Sequence, residues 1–225
     1  MTPPAVLFSS GLDSAVLLAD AAARFGGALP VYVRAGLAWE PHEHAVAERF
    51  VGALPRSAGV AALATLAVDM RDVYPATHWA VRGQAPAFDT PDADVYIDGR
   101  NIVLLSKAAV FAARAGVSRL LIGPLAGNPF PDASPGFFAA MARALTMGLG
   151  TDMAVEAPFL NLSKTDVIRL GVSRQVPFEL TLSCMQPEGA MHCGRCSKCR
   201  ERWDAFAEAG LTDPAPYAAP PPRGP

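Results

Sequence analysis

An α/β fold, a doubly wound parallel sheet with a small C-terminal helical lobe, is what this sequence predicts, and three observations predict it. Short apolar runs alternate with stretches of helical period from Ala5 to Leu170, the pattern of strands covered on both faces by helices. The first run leads directly into a turn, Ser9-Ser10-Gly11, that opens a helix. All four cysteines, Cys184, Cys193, Cys196 and Cys199, fall near the end of the chain and mark off a lobe of their own.

The elements follow in order. Ala5–Phe8 reads as a short buried strand, and Asp13–Phe25, rich in alanine and leucine, as the helix after it. Pro30–Arg34 is a second strand, and His42–Leu54 a helix with Ala45, Ala47, Phe50, Val51 and Leu54 mostly on one side. Leu63–Val68 is a third strand. Arg71–Gly99 holds Pro75, Pro86 and Pro91 and lacks a period, which predicts a long loop with short helical pieces; such loops in compact domains are usually functional. Asn101–Ala115 is apolar nearly all round, so a buried helix is expected. Arg119–Gly123 is a strand, Pro135–Gly148 a helix and Val155–Phe159 the last clear strand. Ser163–Leu170 is a helix opened by a capping pattern, Ser163 with Asp166. Residues 1–176 thus form the α/β domain, 177–213 the cysteine lobe, and 214–225 a tail too proline-rich to fold. No internal repeat is present.

Composition narrows the function classes. A chain of 225 residues, 51% hydrophobic and 18% charged, suits one buried core rather than a disordered protein. With 19 basic and 21 acidic residues the net charge is −2, which argues against a nucleic-acid partner or an anionic membrane surface. The start, MTPPAVLF, lacks the features of a signal peptide, and no stretch approaches about 18 apolar residues. A cytoplasmic setting is therefore expected, and in a reducing compartment clustered cysteines are metal ligands more often than disulfides.

The cysteine spacing is C-x8-C-x2-C-x2-C. Four thiolates make a complete tetrahedral shell for zinc, with no ligand borrowed. An iron–sulfur cluster and a redox-active cysteine pair compete for the same residues. The ferredoxin continuation to Cys-Pro is absent, however, and a redox pair needs only two thiols. One structural zinc ion is the reading that uses all four. Such a closed site leaves no position for substrate. His192 is then a bystander, and the basic cluster Arg195, Lys198, Arg200 and Arg202 a solvated face or a substrate contact.

Phe8-Ser9-Ser10-Gly11-Leu12-Asp13-Ser14 carries the other signal. A glycine-containing turn between a parallel strand and a helix presents free backbone N–H groups and the helix's positive end to an anion. The Walker lysine is missing. Asp13 would repel a bare phosphate, so its place there calls for a bridging Mg²⁺ or a capping role.

Ser9–Ser14 resembles the S-G-G-x-D-S signature of the PP-loop ATPases, with Ser10 in place of the first glycine. Further motifs narrow the match: Gly99-Arg100-Asn101, Phe130-Pro131-Asp132, Ala157-Pro158-Phe159, Leu162-Ser163-Lys164, Thr181-Leu182-Ser183-Cys184 and CGRCSKCRER. Taken in order from about Ala5 to Pro214, the series is similar to the 7-cyano-7-deazaguanine synthase family of queuosine biosynthesis. The resemblance implies a Rossmann-type, adenine nucleotide alpha-hydrolase-like sheet and a homodimer. It also implies an ATP-dependent ligase, AMP-forming and using Mg²⁺, that turns 7-carboxy-7-deazaguanine and free ammonia into a nitrile. On that basis ATP would lie on Phe8, Ser9, Ser10, Gly11, Leu12, Asp13, Ser14, Ala15, Val16, Leu17 and Leu18. Asp13, Lys164 and Arg100 would be catalytic, and Asn101 and Asp132 would meet the acceptor. Taken without the resemblance, Lys164 is a solvated lysine, Arg100 a partner in a structural ion pair, and Asn101 a helix cap.

Departures from the family pattern gather at the acceptor. The loop Gly123–Ala133 is short, lacks the usual acidic residue before Pro131-Asp132, and ends in Ala133 instead of cysteine. Gly136 stands where glutamate is frequent, and Arg34-Ala35-Gly36-Leu37 replaces Asp-Tyr-Gly-Gln. A guanine-like ring presents an N–H and an amine that a carboxylate accepts best; Asp132, Glu40 and Asp98 are the available substitutes. Two other readings stand beside the synthase: a paralogue adenylating a different carboxylate, and an ATP-binding module without ligase activity.

Overall fold

The computed structural model describes residues 2–222. Five parallel strands, β1 (Ala5–Leu7), β2 (Leu29–Arg34), β3 (Ala64–Ala67), β4 (Arg119–Leu121) and β5 (Ala154–Glu156), lie in the order β3-β2-β1-β4-β5. The helices are α1 (Leu12–Phe25), α2 (Glu40–Ala53), α3 (Trp79–Arg82), α4 (Arg100–Arg114), α5 (Pro135–Leu149), α6 (Lys164–Ser173) and α7 (Ser197–Glu208). They cover both faces, as the alternation of strand and helix requires. Val16, Phe50, Ile168 and Phe206 pack on one side, Leu105, Ala108, Phe138 and Leu145 on the other. The doubly wound α/β class is borne out.

Two contacts lock α6 to α1. A Cβ at Gly171 would run into the Phe178 ring and Val16, so only glycine permits that approach. Asp20, buried on α1, takes two hydrogen bonds from Arg174 at 2.9 and 3.1 Å. The capping box is present too, with Asp166 N–H donating to Ser163 Oγ and Ser163 N–H to Asp166 Oδ2.

Several expectations need correction. Strand β5 stops before Pro158, which has no N–H for a ladder, and β4 stops before Pro124. Helix α2 starts earlier than expected, with Pro41 in its first turn. Helix α4 is not buried all round: Ile102 and Val110 are each 46% exposed. Residues 214–222 are not without structure. His192 N–H donates to Pro216 O at 2.9 Å and Ala218 N–H to His192 O at 2.8 Å. Prolines lack donors, yet their carbonyls accept, and an extended strap suits them. The remainder of the expected tail, residues 223–225, lies outside the described residues.

Candidate active site and cysteine centre

Strand order reverses between β1 and β4, and the crevice beyond the carboxyl ends of such strands is where open α/β sheets take ligands. A cleft of about 530 Å³ opens there. Its floor is the turn from Phe8 to Ser14, and its walls come from α2, α4, the loop after β4, and the starts of α6 and α7.

The turn is held by its own hydroxyls. Ser9 N–H donates to Ser14 Oγ at 3.2 Å, and Ser14 Oγ–H to Gly11 O at 3.0 Å. Ser10 adopts a left-handed backbone, φ 58°, which explains why glycine suits this position. Its fully buried hydroxyl donates to Glu43 O at 3.1 Å, which offsets that strain and ties the turn to α2. From the cysteine side, Leu182 N–H reaches Ser10 O at 2.9 Å. Of the eleven residues expected to hold nucleotide, Phe8, Ser9, Gly11, Leu12, Asp13 and Ser14 line the cleft. Ser10 turns its side chain away, and Ala15, Val16, Leu17 and Leu18 are buried in the core beneath.

Asp13 and Lys164 meet over this turn. Lys164 Nζ donates to Asp13 Oδ2 at 2.7 Å and to Glu201 Oε1 at 2.6 Å, while Lys198 Nζ donates to Glu201 Oε2 at 2.6 Å. Burial works against the Lys164 charge, but Asp13 and Glu201 outweigh it and hold the ammonium protonated. Burial likewise would raise Glu201, yet Lys164 and Lys198 keep it well below the usual carboxylate range. Asp13 is shifted upward by burial, only partly offset by Lys164. Its Oδ1 is buried with no partner. A buried orphan oxygen on a carboxylate is unusual, and a bound cation or ligand donor would satisfy it. Lys164 is thus no solvated lysine.

Arg100 also faces the cleft, and no ion pair of it is found among the described residues. That leaves the structural ion pair unsupported and the guanidinium available. Asn101 lines the cleft inside the first turn of α4, whose cap is Gly99. Asp132 does not line it. Its Oδ2 accepts Asn101 N–H at 3.0 Å, and Asn101 Nδ2 donates to Asp132 O at 2.9 Å. That oxygen serves the helix N-terminus, where unpaired N–H groups need an acceptor, while Asp132 Oδ1 is buried without a partner. Asp98 is exposed and outside the cleft. Glu40 lines it, but accepts Ala35 N–H at 2.7 Å and Gly36 N–H at 2.9 Å, one on each oxygen.

Sequence reading missed Glu43. Its side chain lines the cleft, and Tyr32 Oη donates to its Oε2 at 2.7 Å. Burial, aided by Glu40, pushes Glu43 up to about 8 against the pull of Tyr32, Arg100 and Trp39. A signal existed: Glu43 shares a helical stripe with Ala47, Phe50 and Leu54, and a carboxylate on a buried stripe is uncommon.

The four cysteines converge. Cys184–Cys196 and Cys193–Cys199 sulfurs lie 3.9 Å apart and Cys196–Cys199 3.5 Å, all four ligand atoms falling within 4.8 Å of one another. These separations far exceed a disulfide and match the edges of a tetrahedron with metal–sulfur bonds of about 2.3 Å. The group can hold a metal ion. His192 stays outside it, its Nε2 accepting Ser183 N–H at 3.0 Å. Of the basic cluster only Arg195 is an exposed side chain. Arg202 is fully buried and paired twice with Asp213, at 2.7 and 2.8 Å. Arg200 donates to Phe88 O at 2.7 Å and Thr90 O at 3.2 Å, and Lys198 belongs to the cleft.

Fold and site together define a parallel α/β protein with a charged ligand cleft at its switch point and a four-sulfur centre built against that cleft. Comparison with known proteins agrees. Residues 4–210 match the family described as queuosine biosynthesis protein QueC. The 7-cyano-7-deazaguanine synthase of Kineococcus radiotolerans is 32% identical over 229 residues, covering 96% of this chain and 97% of that protein. That of Anaeromyxobacter dehalogenans is 34% identical over 226 residues, covering 95% and 94%. Among solved structures, an NMN synthetase from Francisella tularensis aligns over 92% of this chain and 77% of its own, loosely, with 14% identity and TM-score 0.45. The chain belongs to the QueC family. Among the described residues, no helix is long and apolar enough to cross a membrane.

Proposed function

We propose that the chain is a 7-cyano-7-deazaguanine synthase, a carbon–nitrogen ligase that uses two ATP to convert 7-carboxy-7-deazaguanine and ammonia into the nitrile. The single observation that carries the reading is the Asp13–Lys164 pair over a phosphate-accepting turn, with Asp13 Oδ1 left without a partner. The family resemblance supplies the substrate.

The chemistry sets what the cleft must do. The acid's oxygen attacks the α-phosphorus of ATP and pyrophosphate leaves; ammonia then displaces AMP to give the amide. The amide oxygen takes a second adenylyl group, and loss of AMP and a proton leaves the C≡N bond. Both adenylations build negative charge on phosphate oxygens, so preorganised donors and cations matter most. Backbone N–H groups of the turn and the N-terminus of α1 cradle the phosphates. Lys164, held protonated, supplies a fixed positive charge beside them, and Arg100 a second. Asp13 Oδ1 fits a Mg²⁺ ion, which when bound would neutralise phosphate charge. Apolar walls exclude water that would hydrolyse the adenylate.

The cysteines in this reading hold one zinc ion whose shell they close, so the ion shapes the lobe over residues 177–213 rather than the chemistry. It sets the start of α7 and hence Lys198 and Glu201. The lobe is distinct from the nucleotide-binding unit over residues 1–176, and a cytoplasmic homodimer belongs to the same reading. The alternative, a binding module without ligase activity, rests on Ser10 and on the altered loop Gly123–Ala133; of these, Ser10 turns its side chain away from the cleft and is satisfied by Glu43 O.

The test is turnover. Purified protein with ATP, Mg²⁺, ammonium and 7-carboxy-7-deazaguanine should yield the nitrile by mass spectrometry, with two AMP per nitrile. Amide accumulation without nitrile, or no acid-dependent AMP, would contradict the assignment.

A further inference from the structure

We propose that Glu43 is the specificity-determining residue at the acceptor end of the cleft, the carboxylate that accepts an N–H and amine donor pair from the edge of a flat heteroaromatic acid. The inference rests on the function proposed above and deepens it by naming the group that takes over from the acid missing in the loop after β4.

The shape of that end suits a flat conjugated ring. Trp39 and Trp79 lie nearly parallel, 13° apart with centroids 5.7 Å from one another, and both line the cleft together with Leu37, Val95 and Ile97. Aromatic and aliphatic walls of this kind bind planar ligands by burial and leave orientation to a few polar groups.

Elimination leaves one such group for a donor edge. The loop from Gly123 to Phe130 brings no carboxylate to the cleft. Asp132 does not line the cleft, and Glu40 is spent on the backbone of Ala35 and Gly36. Asp92 is an exposed rim residue, 3.8 Å from Arg200. Asp13 and Glu201 share Lys164 at the phosphate end. Glu43 remains.

Its placement is rigid. Tyr32, on the central part of β2, fixes Oε2 from below at 2.7 Å. The Ser10 hydroxyl grips the Glu43 carbonyl, so the phosphate turn and this side chain are tied through one residue. Once Glu43 has released its proton to solvent on ligand entry, its oxygens opposite two N–H donors give a paired, directional contact, and a ligand lacking one donor leaves a buried acceptor unmatched.

The experiment is calorimetric titration of the full-length, metal-loaded protein with 7-carboxy-7-deazaguanine and with its analogue lacking the exocyclic amine. Wild-type protein should favour the aminated acid by about tenfold or more, as one charge-assisted hydrogen bond implies. Glu43→Gln and Glu43→Met should each bring that ratio towards one, with ATP affinity held within about twofold as evidence of an intact fold. An unchanged ratio in both variants overturns the inference, as does a wild-type protein that binds both acids equally. A wild-type protein that binds ATP but neither acid sinks the functional reading itself, and this inference with it.

Discussion

Lys164 Nζ lies 2.7 Å from Asp13 Oδ2 across 151 residues of sequence, and the same ammonium is 2.6 Å from Glu201. One cation is thus clasped by carboxylates from α1 and α7 while sitting on α6. Incoming phosphates would add to this charge balance rather than create it, and of the two carboxylates on Lys164 it is Asp13 that has a buried oxygen without a partner.

Asp13→Asn should therefore lower turnover by about a hundredfold or more, the scale of losing one preorganised charge contact. Metal content by elemental analysis and the circular dichroism spectrum should match wild type. A fully active Asp13→Asn enzyme would remove the role given to this residue.

The cysteine centre and the nucleotide turn are mechanically linked. Leu182 N–H holds Ser10 O, Leu12 N–H reaches Ser183 Oγ at 3.5 Å, and Lys198 and Glu201 follow Cys196 within a turn or two of α7. Stripping the metal with a chelator should weaken binding of a non-hydrolysable ATP analogue by about tenfold or more and lower the melting temperature. Lys198→Ala should reproduce part of the affinity loss with metal content unchanged. Equal ATP affinity with and without metal would show the two sites to be independent.

Arg202 and Asp213 form a buried bidentate pair, 0% and 1% exposed, with Tyr217 Oη and Thr181 Oγ1 completing the network. Removing one partner leaves an uncompensated charge, so Arg202→Met should cost about 3–5 kcal/mol in urea unfolding. Arg202→Met with Asp213→Asn should recover part of it. A single variant within about 0.5 kcal/mol of wild type would be at odds with the pair as drawn.

Glu43 sets a pH dependence with a definite sign. Its folded-state value of about 8 lies above that of an ordinary glutamate. From about pH 4.5 upward the unfolded chain ionises while the folded protein stays protonated, so stability is lost until the pH passes about 8. Glu43→Gln mimics the protonated form. It should leave the unfolding free energy nearly unchanged near pH 4.5 and raise it at pH 8, by no more than about 1.4 kcal/mol per pH unit crossed. A gain confined to low pH would reverse the sign and refute the assignment.

Much of this was legible in the sequence because it is written in local patterns. Alternating periods show the parallel sheet, Ser163 and Asp166 show where α6 begins, and cysteine count and spacing show the four-sulfur centre. The turn Ser9–Ser14 was readable as an anion site. What stayed hidden depends on long-range packing. The pairing of Lys164 with Asp13 has no local signature. Glu201 sits in SKCRERWD, a stretch whose composition is that of a solvated face, and only the fold turns it inward. Glu43 was hidden only by the charges around it in HEHAVAER, its place on the apolar stripe being legible. Asp132 is expected at the acceptor because Phe130-Pro131-Asp132 resembles a family motif, yet it lies outside the cleft lining and the N-terminus of α4 takes its Oδ2. The proline-rich end read as disorder because composition counts missing donors and not the carbonyls that remain.

The most direct test of the central claim is acid-dependent exchange of labelled pyrophosphate into ATP without ammonia, which isolates the first adenylation. Wild-type protein with Mg²⁺ should exchange label only when 7-carboxy-7-deazaguanine is present, and Asp13→Asn should reduce that exchange by about a hundredfold or more. No acid-dependent exchange by the wild type, or equal exchange by the variant, would contradict an adenylating site at Asp13 and Lys164.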